Sequence, residues 1–69
     1  MKIRSFNSVM AEVALTSEEL NIINNSLNEV CNGIELEGEF DTRMGCTVEE
    51  ARNLLHAVHT LILDMKKSH

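Results

Sequence analysis

Thr16-Ser17-Glu18-Glu19-Leu20 and Thr47-Val48-Glu49-Glu50-Ala51 share one pattern, a threonine followed three positions later by a glutamate, and each opens a helical apolar repeat. In such a capping box the threonine hydroxyl accepts a hydrogen bond from the backbone N–H three residues on. The glutamate at that position accepts from the backbone N–H of the threonine. The paired acids also lie where the helix dipole favours negative charge. The two stretches predict the beginnings of two helices, and neither carries catalytic chemistry.

The first predicted helix runs from about residue 17 to residue 32, and Gly33 supplies the left-handed residue that commonly ends a helix. The second runs from about residue 48 to residue 66 and is the stronger of the two. In both, apolar residues recur at steps of three and four, so each helix has a stripe that faces a core. The stripe of the first helix contains Leu20, Ile23, Leu27, Val30 and Cys31. The wider stripe of the second contains Ala51, Leu54, Leu55, Val58, Leu61, Ile62 and Met65.

Strand patterns are shorter and weaker. Residues 9 to 15 alternate apolar and other side chains, which is the period of a half-buried strand, although a short helix competes. Residues 34 to 37 alternate in the same way, with Gly38 following as a bulge or turn. Residues 41 to 44 suit a single helical turn closed by Gly45. Residues 1 to 8 show no periodicity, and we expect them to be loosely ordered.

These elements predict one small domain over residues 1–69, of the α+β class and mainly helical, with two capped helices packed together as an antiparallel or crossed pair and one or two short strands. The alternative is an all-α helical hairpin, favoured if residues 9 to 15 are helical and the acidic stretch is a loop. A core in a chain of 69 residues rarely contributes more than about 3–5 kcal/mol without a disulfide, a metal or a partner subunit. Self-association as a homodimer is therefore expected.

The net charge is −5, and acids concentrate in one stretch, which we call the acidic segment: Glu35, Glu37, Glu39 and Asp41. Such a balance repels phosphate backbones and attracts basic partners. We therefore expect the acidic segment to bind another protein, of basic character. An inhibitor or immunity-type protein directed against a basic toxin or nuclease fits this size and charge. No stretch is apolar enough for a signal peptide or membrane span, so a cytoplasmic location without membrane contact is expected.

Residues 40 to 55 also have the form of a helix-turn-helix, with a turn glycine, an N-cap threonine and a following helix. In a DNA-binding protein the N-terminal side chains of that second helix reach base edges. Here they include Glu49 and Glu50, with Arg52 as the one base. Carboxylates oppose the phosphate contacts that supply most of the affinity for DNA. A DNA-binding regulator is thus the alternative function, and nucleic acid is not the expected partner.

Cysteine and histidine do not form a recognisable reactive or metal-binding motif. Cys31 and Cys46 are expected to be reduced thiols, since nothing indicates export, and their spacing is too long for a zinc finger. A continuous helix would also separate Cys46 from His56 by roughly 15 Å. The chain has no phosphate-cradling glycine loop and no nucleophile beside a base. We expect no enzymatic activity, no cofactor and no metal.

Two polar stripes are candidate contact surfaces. The first helix carries an amide stripe, predicted roughly opposite its apolar stripe, and the amides can make directional hydrogen bonds with a partner: Asn21, Asn25, Asn28 and Asn32. On the second helix, Arg52, His56, His59 and Leu63 recur along the flank of the core stripe. Of these, His56, His59 and Leu63 are candidates for self-association, because an apolar residue on a polar flank suggests a second packing surface. Solvated helix faces would account for both stripes equally simply.

Overall fold

The structure, a computed structural model, describes residues 1–33 and 39–68. Two strands precede a set of helices along the chain. The elements are β1 (Lys2–Phe6), β2 (Ala11–Ala14), α1 (Ser17–Asn28), α2 (Phe40–Met44) and α3 (Val48–Lys67). A π-helical turn, Glu29–Gly33, extends α1. The predicted α+β, mainly helical class is confirmed, and the all-α alternative is wrong because the N-terminal strands pair.

Both predicted capping boxes are formed. At the start of α1, the backbone N–H of Glu19 donates to the Thr16 hydroxyl over 3.2 Å, and the N–H of Thr16 donates to the Glu19 carboxylate over 2.9 Å. At the start of α3, the reciprocal bonds between Thr47 and Glu50 are both 3.0 Å long. Each box satisfies two backbone donors that the helix itself leaves without partners.

The N-terminal hairpin pairs β1 with β2 in antiparallel register, Ile3 opposite Val13 and Phe6 opposite Ala11. Between these pairs Ser5 lies opposite Glu12, so Arg4 is an extra residue on β1 and forms a bulge. The prediction of a strand within residues 9 to 15 is confirmed, and β1 lies in residues 1 to 8, where the sequence shows no periodicity. The bulge is the physical reason, because an inserted residue breaks the two-residue period by which a strand is recognised.

A tight turn closes the hairpin. The side-chain oxygen of Asn7 accepts hydrogen bonds of 2.8 Å from the backbone N–H groups of both Val9 and Met10. The N–H of Asn7 donates in turn to the carbonyl of Met10 over 2.9 Å. An asparagine that bonds the backbone two residues on is a common way to build a turn.

The helices α1 and α3 pack against each other as an antiparallel pair. Asn21 shares one cleft with Met65, and Asn24 shares another with Arg52, so the start of α1 lies beside the end of α3. Among the described residues the buried core consists of Leu20, Ala51 and Ile62. The wide stripe predicted on α3 is therefore too wide, since Leu54 and Leu61 are exposed. Leu54 and Leu61 lie at one margin of that stripe, and a single neighbouring helix covers only part of the circumference of α3.

The helical turn predicted before Gly45 is confirmed as α2. Gly45 adopts the left-handed conformation, with φ of 72°, and its N–H donates to the carbonyl of Asp41 over 2.9 Å. Residues other than glycine rarely adopt this left-handed backbone conformation at the end of a helix. The strand predicted over residues 34 to 37 lies outside the described residues, and so do Glu35 and Glu37.

Candidate interaction surfaces

One face of the hairpin is apolar and exposed. The register places Ile3, Phe6, Ala11 and Val13 on this face, and we call it the hairpin face. Ile3 is 60% exposed, Phe6 is 78% exposed and Val13 is 39% exposed. The opposite face carries Lys2, Ser5, Glu12 and Ala14. The strands thus sort apolar from polar side chains as a half-buried sheet does, although nothing in the described chain covers the apolar side.

The turn at the tip of the hairpin adds further apolar surface. Val9 is 86% exposed and Met10 is 69% exposed. Turn residues are ordinarily polar or glycine, so two large apolar side chains at this position are unusual. Burial begins only where the hairpin joins α1, at Ala14 and Leu15, which are both half-buried. The hairpin contributes no side chain to the buried core.

The second surface is a polar cleft of about 480 Å³ between α1 and α3. We call it the α1/α3 cleft, and it is lined by Asn24, Asn28, Arg52, Leu55, His56 and His59. Three of these side chains can carry positive charge and two are neutral amides, so no carboxylate lines the cleft in an acidic protein. Leu55 and Asn24 are half-buried, whereas the other four are exposed.

The predicted amide stripe of α1 does not lie opposite the packing face. Asn28 lines the α1/α3 cleft, and Asn21 lines a smaller cleft beside Ile62 and Lys66. Asn25 and Asn32 line neither of these clefts, and both are exposed. Two of the four amides, Asn21 and Asn28, therefore flank the contact with α3. The reason is geometric, because residues at steps of three and four drift around a helix of 3.6 residues per turn and approach the edge of the apolar stripe.

Asn24, outside the predicted stripe, is the one asparagine among the described residues that is half-buried. Its Oδ1 is buried without a hydrogen-bond partner in that part of the chain. The position of Asn24 around the helix axis, between those of Leu20 and Asn28, is the signal in the sequence for its partial burial. A buried carbonyl oxygen without a donor costs about 1–3 kcal/mol, so Asn24 is expected to destabilise the helix pair.

The three residues predicted for self-association on α3 do not form one surface in the structure. His56 and His59 line the α1/α3 cleft together with Arg52. Leu63 is 44% exposed and does not line it. The histidines therefore lie with Asn24 and Asn28 of α1, a combination that the pattern of either helix alone does not predict.

In the acidic segment, Glu39 and Asp41 are exposed at the beginning of α2, and neither forms an ion pair with another described residue. Cys31 and Cys46 are free, half-buried thiols. In residues 1–33 and 39–68 no three metal-ligating side chains come together. No helix in this part of the chain is both long enough and apolar enough to span a bilayer.

Two glutamates have perturbed acidity. The N-terminal ammonium of Met1 bonds the Glu19 carboxylate, and this contact, together with the N–H of Thr16, lowers the pKa of Glu19. The N–H and hydroxyl of Thr47 likewise lower the pKa of Glu50. Hydrogen bonds to a carboxylate favour its charged form. The Glu50 shift therefore reports its capping box, and the Glu19 shift reports mainly the N-terminal ammonium, with its capping box adding to it.

Comparisons of the chain with protein families, with curated proteins and with solved structures each find no match.

Proposed function

We propose that this protein is a small, non-catalytic protein-interaction module that works as a homodimer, and that the hairpin face is the contact between the two copies. The exposed apolar pair of Ile3 and Phe6 on this face is the observation that carries the proposal. Contiguous apolar surface on a small protein is a common sign of an interaction site.

The hairpin needs a partner surface on energetic grounds. A two-stranded hairpin is marginally stable in water and becomes stable when a third strand or another surface covers its apolar face. Here the helices leave that face open. The chain also has a small core, with Leu20, Ala51 and Ile62 as its buried apolar residues in the described part. Burial of the hairpin face against a partner adds the apolar stabilisation that the small core does not provide.

A second copy is the occupant that best fits the chemistry of this face. Its four side chains are uncharged, so two copies related by a two-fold axis meet without repulsion, although the chain carries a net charge of −5. A basic partner would instead be attracted to carboxylates, and none lies on this face. Phe6 adds a large side chain of the kind enriched at the centres of interfaces.

The acidic segment is the surface we assign to a second, basic protein. Glu39 and Asp41 lie on a different element from the hairpin, so both can stay exposed when two hairpin faces pack together. Pairing also doubles the number of acidic segments, which raises the effective concentration of the second contact for a partner with two basic sites.

Sedimentation equilibrium of the wild-type chain and of the double variant Ile3→Thr/Val13→Thr tests the homodimer. Threonine keeps the β-branched shape that suits a strand, so the hairpin itself is retained. The wild type is expected at twice the chain mass of 7.8 kDa. Each substitution removes apolar area worth about 0.8 kcal/mol per methylene, so the double variant should dissociate at least about tenfold more readily.

Ile22→Thr is the matched control, since Ile22 is 65% exposed on α1 and lies outside the hairpin. It is expected to leave the dissociation constant unchanged. A monomeric wild type at high micromolar concentration would contradict the proposal. So would a dimer that is dissociated by Leu63→Glu and not by the hairpin variant, because that result would place the contact on α3.

A further inference from the structure

We propose that the α1/α3 cleft is a binding site for a small oxyanion, the phosphate or carboxylate group of a small molecule. This surface is distinct from the hairpin face, and the proposal does not depend on dimer formation. The cleft volume of about 480 Å³ lies in the range of small-molecule sites.

The side chains of α3 supply the positive end of the site. Arg52, His56 and His59 follow one another along the side of the helix that faces the cleft. None of them forms an ion pair with a described carboxylate. A guanidinium group presents paired N–H donors that match a carboxylate or phosphate. An imidazole adds an N–H donor in either protonation state.

The side chains of α1 are arranged to donate as well. The Oδ1 of Asn28 accepts a hydrogen bond of 3.0 Å from the Nδ2 of Asn32. This bond uses one lone pair of the Asn28 oxygen and favours the amide orientation in which the Asn28 Nδ2 is free to donate elsewhere. Asn32 lies in the π-helical turn that extends α1.

Asn24 provides an independent indication that the cleft has a function. Its buried Oδ1 has no partner among the described residues, so the helix pair carries a side chain that an apolar residue would improve. Departures from good local packing are concentrated at functional sites. Asn24 lines the cleft, and its unpartnered Oδ1 can accept a hydrogen bond from the O–H of a hydrogen phosphate group or a protonated carboxyl group.

A titration of the ¹⁵N-labelled protein with sodium phosphate, and separately with sodium succinate, tests the site, with sodium chloride at equal ionic strength as the reference. We expect saturable shifts of the amide signals of residues 24, 28, 52, 56 and 59 with at least one of the two oxyanions. The oxyanion with the lower Kd shows whether the site prefers a phosphate or a carboxylate group. Arg52→Gln should weaken binding by about tenfold, the loss typical of one charge-assisted hydrogen bond. His59→Leu should also weaken binding, because it removes the N–H donor of the imidazole.

Arg43→Gln is the control, because it removes the same charge from an exposed position on α2. Equal losses for Arg43→Gln and Arg52→Gln, or shifts that chloride reproduces, would overturn the proposal by assigning the effect to net charge. Sedimentation of Arg52→Gln without added anion completes the test. Dissociation of a dimer by this substitution would make the cleft part of the contact between copies and would also overturn the proposal. A monomeric protein that still binds phosphate would instead contradict only the proposed homodimer.

Discussion

Ile3 lies directly opposite Val13 across the hairpin, and neither side chain is buried. A cross-strand pair of this kind contributes roughly 0.2–1 kcal/mol to a hairpin by itself. The larger part of its stabilisation appears only when a second surface removes both side chains from water. The stability of the hairpin and the association of the chain are therefore expected to be one coupled equilibrium.

Thermal unfolding should accordingly depend on protein concentration. For a chain whose folded state is stabilised by dimer formation, raising the concentration shifts the equilibrium toward the folded dimer and increases Tm. We expect Tm, followed by circular dichroism, to rise across a hundredfold increase in concentration for the wild type. The increase should be much smaller for Ile3→Thr/Val13→Thr. A Tm that is independent of concentration in both chains would argue that the monomer is the stable unit.

Removal of the second cap should destabilise α3 without changing its packing. Thr47→Ala deletes the hydroxyl that accepts from the N–H of Glu50 and is expected to lower the free energy of unfolding by about 1 kcal/mol. Thr47→Ser keeps the hydroxyl and should retain most of that stability. Urea denaturation of the two variants at one concentration measures the difference. Equal losses would mean that the methyl group, and not the hydrogen bond, stabilises this position.

The lowered pKa of Glu50 predicts a loss of stability in acid. A carboxyl whose folded pKa lies below its ordinary value of 4.5 stabilises the protein fully above that value, and the contribution is lost as the pH falls through the folded pKa. Glu50→Gln keeps an acceptor for the N–H of Thr47 but cannot titrate, so its stability should fall less steeply below about pH 4.5. Glu49→Gln removes the same charge from the same helical turn and leaves the cap intact. The two variants should therefore differ in urea unfolding curves recorded between about pH 3 and pH 6.

Replacement of Asn24 should stabilise the helix pair. Leucine has a similar size and removes the buried carbonyl oxygen that lacks a partner, so Asn24→Leu is expected to increase the free energy of unfolding by about 1 kcal/mol. Asn25→Leu reports the general gain from replacing asparagine within a helix, because Asn25 is exposed one position away. The expected increase in the free energy of unfolding is therefore the difference between Asn24→Leu and Asn25→Leu. A smaller gain at residue 24 than at residue 25 would show that the oxygen is satisfied in solution.

Local hydrogen bonding explains why the helix starts could be predicted. The bonds of Thr47 and Glu50 join residues three positions apart, so the information needed to form them is contained in a short stretch. The same holds for the left-handed Gly45 after α2. The strand β1 could not be predicted in this way, because the bulge at Arg4 is defined only by pairing with β2.

Prediction of the candidate sites, unlike that of the helix starts, requires knowledge of how the helices are placed relative to one another. Arg52, His56 and His59 were recognisable as one side of α3, but their partners on α1 were not, since a sequence does not give the rotation of one helix against another. The sequence does not distinguish Asn24 for a similar reason, because an amide ordinarily lies on the solvated side of a helix. The prediction that Leu54 is buried is wrong. The helical repeat shows which residues share one side of a helix, but it does not show how much of that side a neighbouring element covers.

The bulge at Arg4 also bears on how far assembly can proceed. β1 and β2 are both edge strands of a two-stranded sheet, and a regular exposed edge can recruit further strands without limit, as fibrils do. An extra residue in β1 interrupts the spacing of backbone donors and acceptors that an incoming strand would have to match. The bulge thus gives the chain protection against fibril growth while it leaves the apolar side chains of the same hairpin accessible.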